Sequence, residues 1–256
     1  MKNKSIFITG ATSGIGRLIA ENCLKKGFVV YGTGRDENAL QSLAQLGVHV
    51  LKADLSELEE IEDVFNLLPS IDVAILNAGV GYFQNAFDLT DDEISSMIDV
   101  NVKAPILLAN RFAKKMIAQK NGHIIFIGSQ AGKVATKKAS VYAASKHAIT
   151  GFSNGLRMEL APFNISVTTV FPGPIDTPFI KKADSTNTYR ASIERFLLKP
   201  EHVAKEVIKT IDKPVREVNL PRYMSVTSKL YAIAPALVEK LGSSFFNKKW
   251  YMNESK

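Results

Sequence analysis

A tyrosine and a lysine stand four positions apart in the stretch SVYAASKHAITGF, residues 140–152. On a helix, Tyr142 shares a face with the apolar side chains of Ile149 and Leu156, and Lys146 lies about 40° away from it. A phenol can exchange a proton with a substrate, and a neighbouring ammonium group favours the phenolate form. The pair could therefore act in acid–base chemistry. The ordinary alternative is a tyrosine at the edge of the core beside a lysine whose stem covers apolar surface.

A glycine-rich segment near the N-terminus, TGATSGIGR at residues 9–17, offers a second kind of chemistry. It follows an apolar run and precedes a helical pattern, so the backbone can approach a pyrophosphate closely at a helix N-terminus with free N–H groups. The spacing is G-x-x-x-G-x-G rather than G-x-G-x-x-G, and a plain glycine turn is the alternative. We predict a dinucleotide site with contacts from Gly10, Thr12, Ser13, Gly14, Ile15 and Gly16.

The end of the second predicted strand indicates which dinucleotide is bound. NAD sites usually carry an acidic residue there for the ribose 2′-hydroxyl, whereas this chain has Gly34 and then Arg35. Arg35 could bind a 2′-phosphate with two hydrogen bonds, and Arg17 could add charge nearby. We therefore predict NADP(H) rather than NAD(H). An exposed arginine without a role, or one paired with Asp36, is the alternative.

Short apolar runs alternate with longer amphipathic ones along the chain, which predicts βαβ units and a parallel sheet. The predicted strands are residues 5–9, 28–33, 48–53, 72–77, 123–128, 165–171 and 216–221. The predicted helices are residues 14–26, 37–46, 57–68, 91–120, 142–161, 201–212 and 225–241, with a bend in the fourth at Pro105. The fold class is α/β. We expect one doubly wound Rossmann-type domain over residues 1–256 with about seven strands, a substrate lid near 174–199 and a C-terminal helical extension near 225–250.

Composition narrows the classes of function. The net charge is +7, but the basic residues are dispersed as Lys–Lys pairs, and no basic helix with interleaved aromatic residues suggests a nucleic-acid partner. The single cysteine, Cys23, and the lack of a signal-peptide core favour the cytoplasm. No stretch approaches the roughly 18 apolar residues of a membrane-spanning helix. The four histidines lack metal-ligand spacing, so no metal is expected.

Five motifs follow one another in a specific order: TGATSGIG (9–16), NAG (77–79), Ser129, YAASK (142–146) and PGPIDT (172–177). Together they resemble the short-chain dehydrogenase/reductase family over roughly residues 4–180. Many 3-oxoacyl-carrier-protein reductases of that family end in a glycine-rich strand, which this chain lacks. The resemblance is therefore greater to the carbonyl reductase and hydroxysteroid-dehydrogenase-like branches.

The resemblance implies roles for individual residues. Tyr142 would be the catalytic acid/base, Lys146 its partner, Ser129 the group that polarises the carbonyl, and Asn101 the holder of a proton-relay water. Cofactor contacts are implied for Arg35, Asp54, Leu55, Asn77, Ala78, Gly79, Tyr142, Lys146, Pro172, Gly173, Ile175 and Thr177. Because specificity should come from the lid and from loops beyond the strand ends, substrate contacts are also predicted for Ser129, Gln130, Tyr142, Gly173 and Phe179.

The expected function is hydride transfer between NADP(H) and a small carbonyl or alcohol substrate. Two alternatives stay open: a dinucleotide-binding sensor without turnover, and a reductase of 3-oxoacyl thioesters. The family also implies a homodimer or homotetramer.

The C-terminal sequence carries an apolar stripe with adjacent lysines. If the tail SKLYAIAPALVEKLGSSFF, residues 228–246, forms one helix, Leu230, Ala234, Leu237, Leu241 and Phe245 share a face. Such a helix could cover the substrate pocket, join a dimer or make peripheral contact with a membrane.

Overall fold

Seven short strands, mostly apolar along their length, form the centre of the fold. They are β1 (Ser5–Thr9), β2 (Val29–Gly34), β3 (His49–Lys52), β4 (Val73–Leu76), β5 (Gly122–Ile127), β6 (Ile165–Pro172) and β7 (Glu217–Leu220). In the computed structural model, which describes residues 4–184 and 188–241, all seven pair in parallel. Their order is β3-β2-β1-β4-β5-β6-β7, so the winding direction reverses between β1 and β4. Open α/β sheets bind ligands beyond the carboxyl ends of the strands at such a reversal.

Helices cover both faces of this sheet. They are α1 (Gly14–Lys25), α2 (Glu37–Gln45), α3 (Leu58–Leu67), α4 (Asp91–Ile98), α5 (Ala104–Gln119), α6 (Ser140–Leu160), α7 (Pro178–Ala183), α8 (Thr188–Ile193), α9 (Pro200–Asp212), α10 (Met224–Ile233) and α11 (Pro235–Leu241). The predicted α/β fold class and the parallel, doubly wound sheet are confirmed, and the predicted strand bounds agree with the structure within two residues.

Alternate residues of each central strand enter two separate cores. Phe7 of β1 packs with Phe112 of α5 and Ile149 of α6 on one face of the sheet. Its neighbours Ile6 and Ile8 pack with α1 and α9 on the other face. Because both faces are covered, these strands lack the polar alternation of a half-exposed sheet.

The predicted helix over residues 91–120 is wrong as one continuous element. A π-helical turn, Asp99–Lys103, separates α4 from α5. Pro105 lies in the first turn of α5, where a missing N–H group costs little. The irregularity therefore precedes the proline, and it carries Asn101.

The predicted C-terminal helix is also interrupted. Helix α10 ends at Ile233, Ala234 adopts φ −140° and ψ 64°, and α11 begins at Pro235. A proline disfavours helical conformation in the residue before it, so Ala234 breaks the predicted stripe. Phe245 and the predicted extension from 242 to 250 lie outside the described residues.

The predicted lid segment contains α7 and α8. Ile175 pairs with Leu198, so the two ends of the segment lie side by side. The backbone N–H of Phe83 donates to the carbonyl of Ala183 at 2.8 Å, which joins the end of α7 to the loop after β4.

Candidate active site

The glycine loop between β1 and α1 is shaped by positions that exclude side chains. Gly10 and Gly14 adopt φ of +65° and +55°, the left-handed region that favours glycine. A Cβ on Gly16 would lie 2.2 Å from the carbonyl oxygen of Gly10. Ser13 precedes α1, but its side chain makes no capping hydrogen bond. The hydroxyl group of Ser13 therefore does not occupy the N–H groups of the first turn. These groups are available for a phosphate.

Asn77 fixes the loop to the neighbouring strand. Its Nδ2 donates to the carbonyl oxygens of Thr9 at 2.9 Å and Gly10 at 3.2 Å. The Thr9 hydroxyl oxygen in turn accepts from the backbone N–H groups of Asn77 and Ala78, each at 2.9 Å. The side chain of Asn77 thus holds the ends of β1 and β4 together, which is a scaffold role in addition to the predicted cofactor contact.

Arg35 and Asp54 form an ion pair at the ends of β2 and β3, with 3.1 Å between Nη1 and Oδ2. The Arg35 side chain is 65% exposed. Burial opposes the charge of Asp54, but hydrogen bonds from Ser56 and Arg35 hold the pKa of its carboxyl group below the ordinary value. Asp36, the other candidate partner, instead caps α2 by accepting from the N–H of Ala39.

Arg17 does not join this group. Its guanidinium donates to Glu21 at 2.8 Å and to the Ser42 hydroxyl at 2.9 Å. Its prediction as a further phosphate-binding charge loses support, because both contacts lie along α1 and α2. Leu55, another predicted cofactor contact, is buried.

Asn101 links the loop after β4 to α6. Its Oδ1 accepts from the N–H of Val80 at 2.8 Å, and its Nδ2 donates to the Val80 carbonyl at 2.8 Å and to the Ser145 hydroxyl at 3.0 Å. Ser145 donates to the carbonyl of Tyr142 at 2.7 Å. The π-helical turn therefore places a buried amide between the NAG segment and the helix of the tyrosine and lysine.

The hydroxyl group of Ser129 faces Tyr142 and lowers the pKa of the phenol. The Ser129 hydroxyl oxygen also accepts from the N–H of Ala131 at 3.0 Å, so its proton can point towards the phenol. Burial raises the pKa of Tyr142 to about 12, and the effect of Ser129 opposes this only in part. The predicted lowering of this pKa by a neighbouring ammonium and the oxidised nicotinamide stays a prediction, because in the polypeptide alone desolvation is the larger effect.

Lys146 is buried beside the same cluster. Its Nζ donates to the carbonyl of Ile127 at 3.1 Å and lies 5.8 Å from the ring centroid of Tyr142. Burial lowers the pKa of Lys146 to about 8. A Cβ on Gly79 would lie 3.1 Å from Asn101 Oδ1 and 3.5 Å from Lys146 Nζ, so the NAG segment passes close to both groups.

Aromatic side chains form a wall around Tyr142. The ring of Phe179 in α7 lies 5.8 Å from that of Tyr142, and the ring of Phe83 lies 5.6 Å away. Tyr189 of α8 packs against Phe83 at 4.7 Å. Sequence reasoning did not single out Tyr189. Its only sequence signal was its position inside the predicted lid segment.

The remaining predicted residues lie near the carboxyl ends of β5 and β6. Gln130 is buried, and its Nε2 donates to the carbonyl of Phe171 at 2.8 Å and to Asn219 at 3.1 Å. These contacts favour a structural role over the predicted substrate contact. Thr177 lies beside the glycine loop, since a Cβ on Gly14 would be 3.5 Å from its methyl group.

Pro172 and Gly173 close this end of the sheet beside β7. Pro172 is the last residue of β6 and pairs with Leu220. The N–H of Gly173 donates to the carbonyl of Leu220 at 2.6 Å. Together with Ile175, these residues carry the chain from β6 towards Thr177, and their predicted cofactor contacts stay predictions.

Comparison with known proteins identifies relatives along most of the chain. The sequence model of the family described as short chain dehydrogenase matches residues 4–188. An uncharacterized oxidoreductase of Staphylococcus aureus (strain MRSA252) is 33% identical over 228 residues, covering 86% of this chain and 95% of that protein.

Solved structures share the same fold. A serine dehydrogenase complexed with NADP+ superimposes with a TM-score of 0.78 at 28% identity, covering 84% of this chain and 93% of that one. A short-chain dehydrogenase from Sphingobium yanoikuyae in complex with NADPH gives a TM-score of 0.79 at 27% identity, covering 94% and 95% of the two chains. With the family match over residues 4–188 and the glycine loop, Ser129, Tyr142 and Lys146 assembled at one end of the sheet, the chain belongs to the short-chain dehydrogenase/reductase family of oxidoreductases.

Proposed function

We propose that this protein transfers a hydride between NADP(H) and a carbonyl or alcohol substrate, with Tyr142 as the acid/base. One observation carries the proposal: the buried side chains of Tyr142 and Lys146 lie together, with Lys146 Nζ 5.8 Å from the ring centroid of Tyr142. A buried lysine and tyrosine are costly to desolvate. Their burial next to a conformationally specialised glycine loop is better explained by chemistry than by stability.

The residues present fit a phosphorylated dinucleotide. The first turn of α1 offers N–H groups for a pyrophosphate, and the required glycines leave room for it. Arg35 is exposed and could bind a 2′-phosphate, while the family resemblance would place Asp54 at the adenine and Thr177 at the nicotinamide carboxamide. Two similar solved structures hold NADP+ or NADPH. NAD(H) is the alternative cofactor.

When bound, the nicotinamide supplies or accepts the hydride. In the direction of reduction, Tyr142 gives its proton to the carbonyl oxygen, and Ser129 donates a hydrogen bond to the same atom. Because burial raises the pKa of Tyr142 to about 12, the phenol keeps its proton at neutral pH and is ready to act as an acid.

In the direction of oxidation, Tyr142 must instead be a base. Burial lowers the pKa of Lys146 to about 8, so most of Lys146 is still an ammonium at pH 7. Its positive charge favours the phenolate. Desolvation thus opposes the charged form of both side chains, and their mutual attraction as phenolate and ammonium offsets part of that cost.

The aromatic wall of Phe83, Phe179 and Tyr189 suggests a partly apolar substrate. The proposed substrate class is accordingly the ketones, aldehydes and secondary alcohols handled by carbonyl reductase and hydroxysteroid-dehydrogenase-like enzymes. A 3-oxoacyl thioester is the alternative substrate, and a sensor without turnover is the alternative function.

The experiment is to measure NADPH consumption with a panel of aldehydes, aliphatic and cyclic ketones and 3-oxoacyl thioesters, and to identify each alcohol product by mass spectrometry. The proposal predicts stoichiometric alcohol formation from one or more free ketones or aldehydes. Preference for thioesters over every free carbonyl would favour the alternative enzyme. Tight NADPH binding with no product across the panel would favour the sensor.

A further inference from the structure

Helix α10 exposes three of its apolar side chains to solvent and buries a polar one. Val226, Leu230 and Ile233 follow one another at helical spacing and are exposed, with Ile233 at 82%. Ser228 lies about 200° from Val226 and Leu230 on the helix, and it is buried. This is the reverse of a surface helix that packs on its own core.

The exposed apolar surface continues on α11. Leu237 and Leu241, four positions apart on α11, are also exposed, the latter at 76%. We call Val226, Leu230, Ile233, Leu237 and Leu241 the C-terminal stripe. A concentration of exposed large apolar side chains on neighbouring helices of a globular protein marks an interaction site.

The charges around the C-terminal stripe are basic. Lys229 lies about 40° from Ile233 on α10, and Arg222 and Lys240 are also exposed. The one acidic residue between 222 and 241, Glu239, accepts a hydrogen bond from Tyr231 at 2.8 Å. Residues 222–256 hold six basic and two acidic residues, a net +4 of the chain's +7.

The sequence beyond α11 keeps this character. Residues 245–252 read FFNKKWYM and include the only tryptophan of the chain. Amphipathic aromatic rings together with lysines are typical of segments at a membrane–water interface.

Two other ways of covering the stripe fit less well. A second copy of the chain would bring the same positive charges face to face, which opposes association. A span across the bilayer has no support either, because among residues 4–184 and 188–241 no helix is both long and apolar enough.

We propose that α10 and α11 lie in the plane of an anionic lipid surface, with the C-terminal stripe in the acyl boundary and Arg222, Lys229 and Lys240 among the headgroups. Apolar burial and attraction to anionic lipid both contribute to such binding. This proposal is independent of the hydride chemistry.

Flotation of the full chain with lipid vesicles tests it. Vesicles of equal parts phosphatidylcholine and phosphatidylglycerol should bind the protein about tenfold more than vesicles of phosphatidylcholine alone, and added salt should reduce the difference. The double variant Leu230→Glu/Ile233→Glu should lose about tenfold in binding. The matched control, Leu67→Glu/Met158→Glu, changes two other exposed apolar residues and should bind like the wild type.

A second variant keeps the test decisive if the first fails to fold. Lys229→Glu/Lys240→Glu leaves the stripe apolar and should lose the preference for phosphatidylglycerol, with an unchanged melting temperature. Equal binding of wild type and both variants would overturn the proposal. So would a wild-type dimer that ignores vesicles and becomes monomeric in Leu230→Glu/Ile233→Glu by light scattering, since the stripe would then join two copies.

Discussion

The guanidinium of Arg35 and the carboxylate of Asp54 meet at 3.1 Å across the ends of β2 and β3. Ser56 holds the other carboxylate oxygen through its N–H and its hydroxyl group. Asp54 thus orients the charge that the NADP(H) proposal assigns to the 2′-phosphate. An incoming phosphate would share the guanidinium of Arg35 with Asp54. The carboxylate of Asp54 would keep its hydrogen bonds from Ser56.

Arg35→Ala should therefore change cofactor preference. Hydrogen bonds to charged groups contribute about 1.5–3 kcal/mol, so kcat/KM for NADPH should fall roughly tenfold to a hundredfold, with little change for NADH. Lys52→Ala is the matched control, because Lys52 is an exposed, ion-paired residue that pairs with Gly34 on the neighbouring strand. Parallel losses with both cofactors, or equal losses in the two variants, would refute a specific role for Arg35.

Gly16→Ala should abolish dinucleotide binding. The new Cβ would meet the backbone carbonyl of Gly10 at 2.2 Å and Asn77 Nδ2 at 2.5 Å, so the loop must move. Gly155→Ala is the control, since nothing lies within 4 Å of its Cβ and it is inside α6. That variant should gain up to about 1 kcal/mol of stability. NADPH titration by fluorescence compares the two, and wild-type affinity in Gly16→Ala would contradict the geometry.

Asn101→Ala should destabilise the fold by about 2–4 kcal/mol, because it leaves the Val80 backbone groups and the Ser145 hydroxyl without their buried partner. Urea unfolding measures the loss. Asn110→Ala, an exposed position on α5, should change stability by less than about 0.5 kcal/mol. A similar small change at Asn101 would mean that its three hydrogen bonds do not hold the loop after β4.

His123 should make stability depend on pH in the acid range. It is buried in β5, its Nε2 bonds the Thr168 hydroxyl at 2.8 Å, and its Nδ1 has no hydrogen-bond partner. Burial, with a smaller contribution from Lys4, lowers its pKa to about 4. The unfolded chain takes up this proton below about pH 6.5 while the folded chain does not, so stability falls as pH drops from 6.5 towards 4.

His123→Gln removes that titration. The wild type should lose about 3 kcal/mol more than the variant between pH 6.5 and 4, measured by urea unfolding at a series of pH values. Carboxyl groups titrate in both proteins and cancel in the comparison. If the free energy of unfolding changed equally with pH in the wild type and His123→Gln, His123 would take up its proton in the folded protein as readily as in the unfolded chain.

The helices and strands, and the residues expected to act on the substrate, could be predicted from the sequence where they depend on local sequence pattern. Periodicity placed Tyr142 and Lys146 on one helix, and the glycine spacing predicted the turn into α1. The order of buried strands required a parallel sheet.

Features that depend on contacts between residues far apart in the sequence could not be predicted from local pattern. The Arg35–Asp54 pair joins positions 19 apart, and the π-helical turn at Asn101 has nearly the same local periodicity as an α-helix. The raised pKa of Tyr142 depends on burial under Phe83 and Phe179, which no local pattern reports. The break at Ala234 did have a signal in Pro235, and the predicted continuous helix overlooked it.

The central claim is that Tyr142 moves the proton, and Tyr142→Phe tests it most directly. The measurement is single-turnover reduction of the best carbonyl from the panel, alongside the dissociation constant of NADPH, with Tyr31→Phe on β2 as the control for loss of a hydroxyl group. The account predicts a rate lower by about 10²–10⁴-fold with NADPH affinity within about threefold of wild type, and no change in Tyr31→Phe. A rate within about twofold of wild type in Tyr142→Phe would contradict it.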